Sequence, residues 1–116
     1  MVQAKLEVAV REPADRVHIL DLRGPLTRTA EEPLKAAYQE ASSGGAETVI
    51  LNFGEVEAMD SSGLGLLIAL LARAQHQKQR LVACGLGAPL QQAFQVAYLD
   101  EALDVYAGEA EALQSV

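Results

Sequence analysis

Strand-like apolar runs alternate with segments of helical length along this chain of 116 residues. Residues 48–53 and 80–84 are continuous apolar runs, which are typical of strands buried between layers of helices. Helical patterns follow over about 29–42 and from Asp60 to about Gln77. Because strand–helix–strand units produce parallel neighbours, the sequence predicts an α/β domain with a mixed sheet.

Further segments extend this alternation toward both ends of the chain. Residues 5–10 and 16–22 are predicted to be strands joined by a turn, and Gly24-Pro25 is expected to end the second of them. Residues 54–59 are interpreted as an acidic turn that leads into the helix after Asp60. The later segments are predicted to form a helix over 89–98, a strand over 103–106 and a last helix over 109–113.

Composition and charge narrow the classes of function. A net charge of −7 argues against nucleic-acid binding, since phosphate contacts depend on Lys and Arg. The longest apolar run, 64–72, is far shorter than the ~20 residues that span a bilayer. No secretory signal pattern is recognised at the N-terminus. We therefore expect a cytoplasmic protein without direct membrane insertion. The single cysteine, Cys84, lies in an apolar run and is expected to be a buried structural thiol.

No arrangement of residues in the sequence is typical of an enzyme. The histidines His18 and His76 are isolated, and the serines at 61 and 62 lie outside a Gly-x-Ser-x-Gly motif. Gly85-Leu86-Gly87 begins like a dinucleotide fingerprint, but the third glycine is missing. No spacing of Cys, His, Asp and Glu predicts a metal site. The sequence thus favours a non-enzyme without cofactor or metal.

The candidate site is the string Asp60-Ser61-Ser62-Gly63-Leu64-Gly65, which opens the central helix. A hydroxyl at a helix N-terminus lies beside free backbone N–H groups and the positive end of the helix dipole, which accommodate an added phosphate. Phosphorylation would place roughly −1.5 to −2 charges on that surface. The alternative is that Asp60 and the serines only cap the helix.

The helix after Asp60 carries more apolar residues than one buried stripe needs. Leu66 and Leu70 are expected on the solvent face, which indicates either a docking surface or cover by another element. Gly63 and Gly65 allow close approach of a partner or, equally, close packing of the helix on the sheet. The stripe that packs on the sheet is predicted to contain Leu64, Leu67, Ile68 and Leu71.

With these motifs the chain resembles the STAS domain family, and within it the stand-alone bacterial anti-sigma factor antagonists. The strongest match is Met59-Asp60-Ser61-Ser62-Gly63-Leu64-Gly65 after the strand 49–53, supported by stretches 20–26, 81–86 and 99–106. It covers nearly the whole chain and implies one STAS domain over 1–116. The implied fold is a mixed sheet of four or five strands with helices mainly on one face.

The resemblance also implies a partner-switching function. In such proteins the unphosphorylated antagonist binds an anti-sigma factor that is also a serine kinase of the histidine-kinase-like ATPase type. That kinase phosphorylates the serine after the motif Asp and abolishes binding, and a metal-dependent serine phosphatase restores it. Ser61 is that serine here, and Ser62 is the less favoured neighbour. The expected partner surface contains Asp60, Ser62, Gly63, Gly65, Leu66 and Leu70.

One departure from the family pattern affects the choice of partner. Pro25 and Thr27 stand where the family has the acidic residues of Gly-Glu-Leu-Asp, which tend to face the kinase. A partner switch with another output therefore stays open. So does an alternative function, that of the cytoplasmic STAS subunit which regulates a lipid-trafficking ABC transporter. The Asp-Ser-Ser-Gly string favours the switch over that subunit.

Overall fold

The computed structural model describes residues 5–116, so the first four residues of the predicted domain lie outside it. A five-stranded sheet has the order β1-β2-β3-β4-β5, in which β1 is antiparallel to β2 and the later pairs are parallel. The elements are β1 (Glu7–Ala14), β2 (Val17–Leu26), α1 (Glu31–Ser43), β3 (Thr48–Met59), α2 (Ser61–His76), β4 (Arg80–Cys84), α3 (Ala88–Val96), α4 (Leu99–Ala102), β5 (Asp104–Tyr106) and α5 (Glu109–Gln114).

The sheet separates two apolar clusters because successive strand residues point to opposite faces. Leu20 and Leu22 of β2 face the cluster that α1, α2, α3 and α4 cover. Ile19 faces the smaller cluster, which Ala112 of α5 helps to close. Cys84 is fully buried in this second cluster, where burial raises the pKa of its thiol to about 11. The predicted fold class, with helices mainly on one face, is therefore confirmed.

The paired strands β2 and β3 extend further than the sequence predicts. Gly24-Pro25 does not end β2, because the ladder shifts register there and β2 continues to Leu26. Gly24 has a φ of +108°, which glycine adopts readily, and the missing N–H of proline is tolerated at an irregular position. Residues 54–59 do not form a turn; they continue β3 as far as Met59, which pairs with Leu26.

Two other boundaries also differ from prediction. The first strand is Glu7–Ala14 rather than 5–10, and the hairpin turns at Arg16, which has a φ of 62°. The helix predicted over 89–98 ends at Val96, and the separate turn α4 follows Tyr98, whose φ is 60°. A residue in the left-handed region interrupts the helical backbone, which accounts for the division.

Candidate functional site

Asp60 forms the turn that opens α2. Its backbone is extended, and its Oδ1 accepts a hydrogen bond of 2.9 Å from the backbone N–H of Gly63. Ser61 and Ser62 are the first two residues of the helix, and both are exposed. The predicted helix start and the exposure of the Ser61 side chain are thus both found in the structure. Asp60 is itself exposed, so it contributes both the cap and a negative charge to this corner.

Gly63 holds the start of α2 against the end of β2. A Cβ atom at Gly63 would lie 1.8 Å from the carbonyl oxygen of Leu26, so only glycine allows this approach. The backbone N–H of Asp60 donates to that same oxygen at 3.4 Å. Gly63 is buried against β2, so its place in the predicted partner surface stays a prediction. Of the two explanations for this glycine, close packing of helix on sheet is the one found.

Gly65 lies on the opposite side of the first turns of α2. It is exposed, and no atom outside its local backbone lies within 4 Å of where a Cβ would stand. Gly63 and Gly65 therefore do not form one shared site of close approach. Gly65 remains available to a partner, together with Ser62 on the same outward part of the helix.

The predicted buried stripe of α2 is right for Leu67, which is 1% exposed, but the buried side is turned toward Leu70 rather than Ile68. Leu70, expected in solvent, is only 6% exposed, whereas Ile68, expected on the sheet, is 48% exposed. Leu66 is half-buried against the main cluster. Apolar side chains occupy more than half the circumference of α2, and α1 packs beside it, so a helical wheel alone does not locate the buried centre. The buried residues of α2 are Gly63, Leu67, Leu70 and Ala74.

A small cavity of about 80 Å³ lies between α1 and α2, and we call it the α1–α2 crease. Lys35 of α1 and Arg73 of α2 are the positive residues of its lining. Nζ of Lys35 is 3.7 Å from a carboxylate oxygen of Glu31, and the Arg73 guanidinium lies 5.0 Å from the centroid of the Tyr38 ring. The crease is lined by Glu31, Leu34, Lys35, Leu66, Ala69, Leu70 and Arg73.

A second, larger cavity of about 240 Å³ lies between the end of β3 and the start of α3, and we call it the β3–α3 groove. Its β3 wall includes Val56 and ends at Met59, directly before Asp60, and its α3 wall includes Leu90. The charged residue of its lining is Glu57. The two cavities near the Asp60 turn therefore differ in the sign of their charge.

The segment between β2 and α1 lacks the acidic residues of the family pattern Gly-Glu-Leu-Asp. Pro25 and Thr27 are partly exposed there, and Oγ1 of Thr27 lies 3.1 Å from Oγ1 of Thr29. Arg28 follows in a 3-10 turn (Arg28–Ala30), is exposed, and forms no ion pair within the described residues. The sequence does not indicate that Lys35 and Arg73 lie on one face, because cations far apart in the chain come together only when α1 and α2 pack side by side.

Polar side chains also meet on the far face of the sheet. Arg11 donates to both carboxylate oxygens of Asp21 and also pairs with Glu109. The Asn52 amide donates to Asp21 at 2.9 Å, and these contacts, led by Arg11, lower the pKa of the Asp21 carboxyl. Since these charges already pair with one another, the network joins β1, β2, β3 and α5 rather than leaving a group free for a ligand.

Within residues 5–116, no group of three or more His, Cys, Asp or Glu side chains is placed to hold a metal ion. The helices over the same residues are all too short or too polar to cross a membrane.

The sequence matches a known family, and the fold is similar to solved structures. The family model described as "Mlab, STAS domain" matches residues 8–106. The unphosphorylated anti-sigma factor antagonist SpoIIAA is similar in structure, with 21% identity over 93% of this chain and 94% of that chain and a TM-score of 0.71. No curated protein matches the chain.

Two further solved structures have the same fold. The phosphorylated form of the Bacillus cell fate determinant SpoIIAA is 25% identical over 93% of this chain and 97% of that chain, with a TM-score of 0.73. An anti-sigma factor antagonist from Mycobacterium paratuberculosis is 18% identical over 96% of this chain and 93% of that chain, with a TM-score of 0.79. This fold therefore occurs in proteins named for antagonising anti-sigma factors.

Proposed function

Because the chain belongs to the STAS domain family, we propose that it is a non-enzymatic regulator of the anti-sigma factor antagonist type. Unphosphorylated, it binds a protein partner through the surface around Ser61, and a phosphate on Ser61 releases that partner. The observation that carries the proposal is the exposed Ser61 side chain at the first position of α2. The phosphorylated form of SpoIIAA has the same fold, which supports the proposal.

The domain itself tolerates a phosphate at this position. An anion at a helix N-terminus is stabilised by roughly 0.3–1 kcal/mol, and the N–H groups of Ser61 and Ser62 precede the one that Asp60 already caps. Asp60 opposes the phosphate by like-charge repulsion, so the net effect on folding is small. The fold similarity to SpoIIAA in both its unphosphorylated and its phosphorylated form agrees with this expectation.

Partner binding responds much more strongly than folding. A phosphate on Ser61 would have to be buried in the interface without a matching cation, and a buried unpaired charge costs several kcal/mol. The contact surface we propose includes Asp60, Ser62, Gly65 and the half-buried Leu66, while Leu70 forms the floor of the adjacent crease. The switch then needs no change of fold.

The proposed partner is a serine kinase of the histidine-kinase-like ATPase type that also acts as an anti-sigma factor, with a serine phosphatase to reverse the modification. The uncharged Pro25 and Thr27 beside the exposed Arg28 alter the charge that this partner meets. The partner surface is therefore expected to differ in charge from one that recognises acidic residues at those positions.

The uncharged residues at positions 25 and 27 also favour one second candidate function. A cytoplasmic STAS subunit of a lipid-trafficking ABC transporter would need no acidic pair at 25 and 27, and its binding would not depend on a phosphate at Ser61. Co-purification with a membrane ATPase, equally strong for wild type and Ser61→Asp, would favour that function over the switch.

Ser61 variants test the switch directly. Incubation with cell extract and ATP should add one phosphate to the wild type and to Ser62→Ala, but none to Ser61→Ala, as measured by intact mass. A purified partner identified with the Ser61→Ala protein should bind Ser61→Asp roughly tenfold or more weakly. Circular dichroism should show all variants equally folded. Equal affinity of Ser61→Asp and Ser61→Ala would exclude the switch.

A further inference from the structure

We infer that the α1–α2 crease receives an apolar side chain from an acidic segment of the protein partner. The inference rests on the proposed function and deepens it, because it assigns the chemistry of the partner to a defined part of the surface. Three features of the crease carry it: its floor, the charges on its rim and its position relative to Ser61.

The floor of the crease is apolar and small. Leu34 is 2% exposed and Leu70 is 6% exposed, while the half-buried Leu66 and the exposed Ala69 form the outer wall. The cavity of about 80 Å³ suits one aliphatic side chain rather than a helix face. Such a site, where one apolar anchor enters a pocket with a polar rim, is typical of the central contacts of protein interfaces.

The rim of the crease is positive in a chain that is strongly negative overall. Lys35 and Arg73 line it, and Nζ of Lys35 lies 3.7 Å from the Glu31 carboxylate. The lining therefore has one net positive charge, and Arg73 is its cation without a carboxylate partner among the described residues, whereas the whole chain has a net charge of −7. Arg28 is a further exposed cation in the turn that leads into α1, three residues before Glu31. Charge complementarity therefore favours Asp or Glu beside the inserted side chain.

Arg73 is held in place rather than free in solvent. Its guanidinium stacks over the ring of Tyr38 and donates a hydrogen bond to the side-chain carbonyl of Gln39. A cation that α1 already positions loses less conformational freedom when it pairs with a partner carboxylate. This arrangement makes Arg73 the better-defined of the two positive contacts.

The crease extends along α2 toward Ser62, the residue after the proposed phosphorylation site. Ser62, Leu66, Ala69 and Arg73 follow one another at helical spacings on the same side of α2. An acidic segment in the crease would therefore lie close to the first turn of the helix. A phosphate on Ser61 would repel such an acidic segment, whereas the same phosphate would attract a basic segment.

Methyl NMR titration with three short synthetic peptides tests the inference. The first has a central leucine flanked by glutamates, the second has the same leucine flanked by lysines, and the third has alanine between the glutamates. The methyl signals of Leu34, Leu66 and Leu70 should shift with the first peptide and far less with the other two. No shift with the first peptide, or equal shifts with the second or the third, would overturn the inference.

Charge variants locate the contact. Lys35→Gln with Arg73→Gln should weaken binding of the glutamate–leucine peptide by roughly 2- to 10-fold, as the loss of two exposed ion pairs allows. Each of the single variants Lys35→Gln and Arg73→Gln should also weaken binding, whereas Lys78→Gln, which likewise removes one positive charge but from an exposed position after α2, should leave the affinity unchanged. Arg73→Lys should retain most of the affinity for the glutamate–leucine peptide. If Lys78→Gln lost as much affinity for the peptide, the overall charge of the protein rather than the crease would explain the effect, and the assignment would be overturned.

The phosphate mimic separates this inference from the proposed function. Ser61→Asp should weaken binding of the glutamate–leucine peptide, which would support both. If the peptide binds Ser61→Asp with wild-type affinity while the crease variants lose it, the crease assignment stands without coupling to Ser61. The switch itself fails only if the purified partner binds Ser61→Asp as strongly as Ser61→Ala.

Discussion

Gly63 and Gly65 lie two residues apart in α2, yet the structure uses them in opposite ways. Gly63 faces inward, where its missing side chain lets the helix rest on the Leu26 carbonyl at the end of β2. Gly65 faces outward with open space around it. The short motif after Asp60 thus combines a packing position with a free surface position. A shared residue type therefore does not imply a shared function.

The same division continues along the helix. Leu70 is buried between the sheet and α1, and Ile68, two residues earlier, is half-exposed on the other side. Ser61 and Gly65 belong to the outward side, where a partner has access, and Gly63 and Leu70 belong to the inward side. Mutations on the two sides should therefore separate stability from binding.

Gly63→Ala is expected to have the largest effect on folding. Its Cβ would lie 1.8 Å from the Leu26 carbonyl oxygen, and because both groups are backbone-bound, neither can yield cheaply. We expect the free energy of unfolding to fall by about 3 kcal/mol or more in urea denaturation.

Gly65→Ala is the matched control for that change. It should leave stability unchanged or raise it by up to about 1 kcal/mol, since alanine favours the helix over glycine. If the two variants were equally stable, the contrast between an inward and an outward glycine would be wrong.

Leu70→Ala should have the next largest effect on the free energy of unfolding, and it tests which side of α2 is buried. Removing a side chain that is 6% exposed should lower the free energy of unfolding by about 2–4 kcal/mol. Ile68→Ala should cost less than about 1 kcal/mol, because its side chain is 48% exposed. The reverse order in thermal or urea denaturation would restore the orientation that the helical wheel predicts.

Asp60→Ala should destabilise the protein less than Gly63→Ala or Leu70→Ala. It removes the side-chain hydrogen bond to the Gly63 N–H, and the loss of such a cap typically costs about 1 kcal/mol. Asp60→Asn keeps an accepting oxygen and should recover most of the loss. A cost as large as that of Gly63→Ala would mean that the turn depends on Asp60 for more than capping.

The parts of the prediction that succeeded depend on local chemistry. The start of α2 was predictable because Asp60 caps a backbone N–H three residues away. The buried strand 48–53 was predictable because a continuous apolar run in this setting has few other solutions. By contrast, the pattern of residues 54–59 predicts a turn, because their Glu and Gly residues give no sign of the ladder with β2 that continues the strand to Met59.

The amino-acid sequence alone determined the α/β alternation, the buried strand 48–53 and the helix that begins after Asp60, because these follow from periodicity and from contacts within a few residues. Only the tertiary structure decided which side of α2 is buried, why Gly63 must be glycine and where the cations of α1 and α2 meet. Those features depend on α1, β2 and β3 packing against α2, and contacts between distant segments leave no local pattern in the chain.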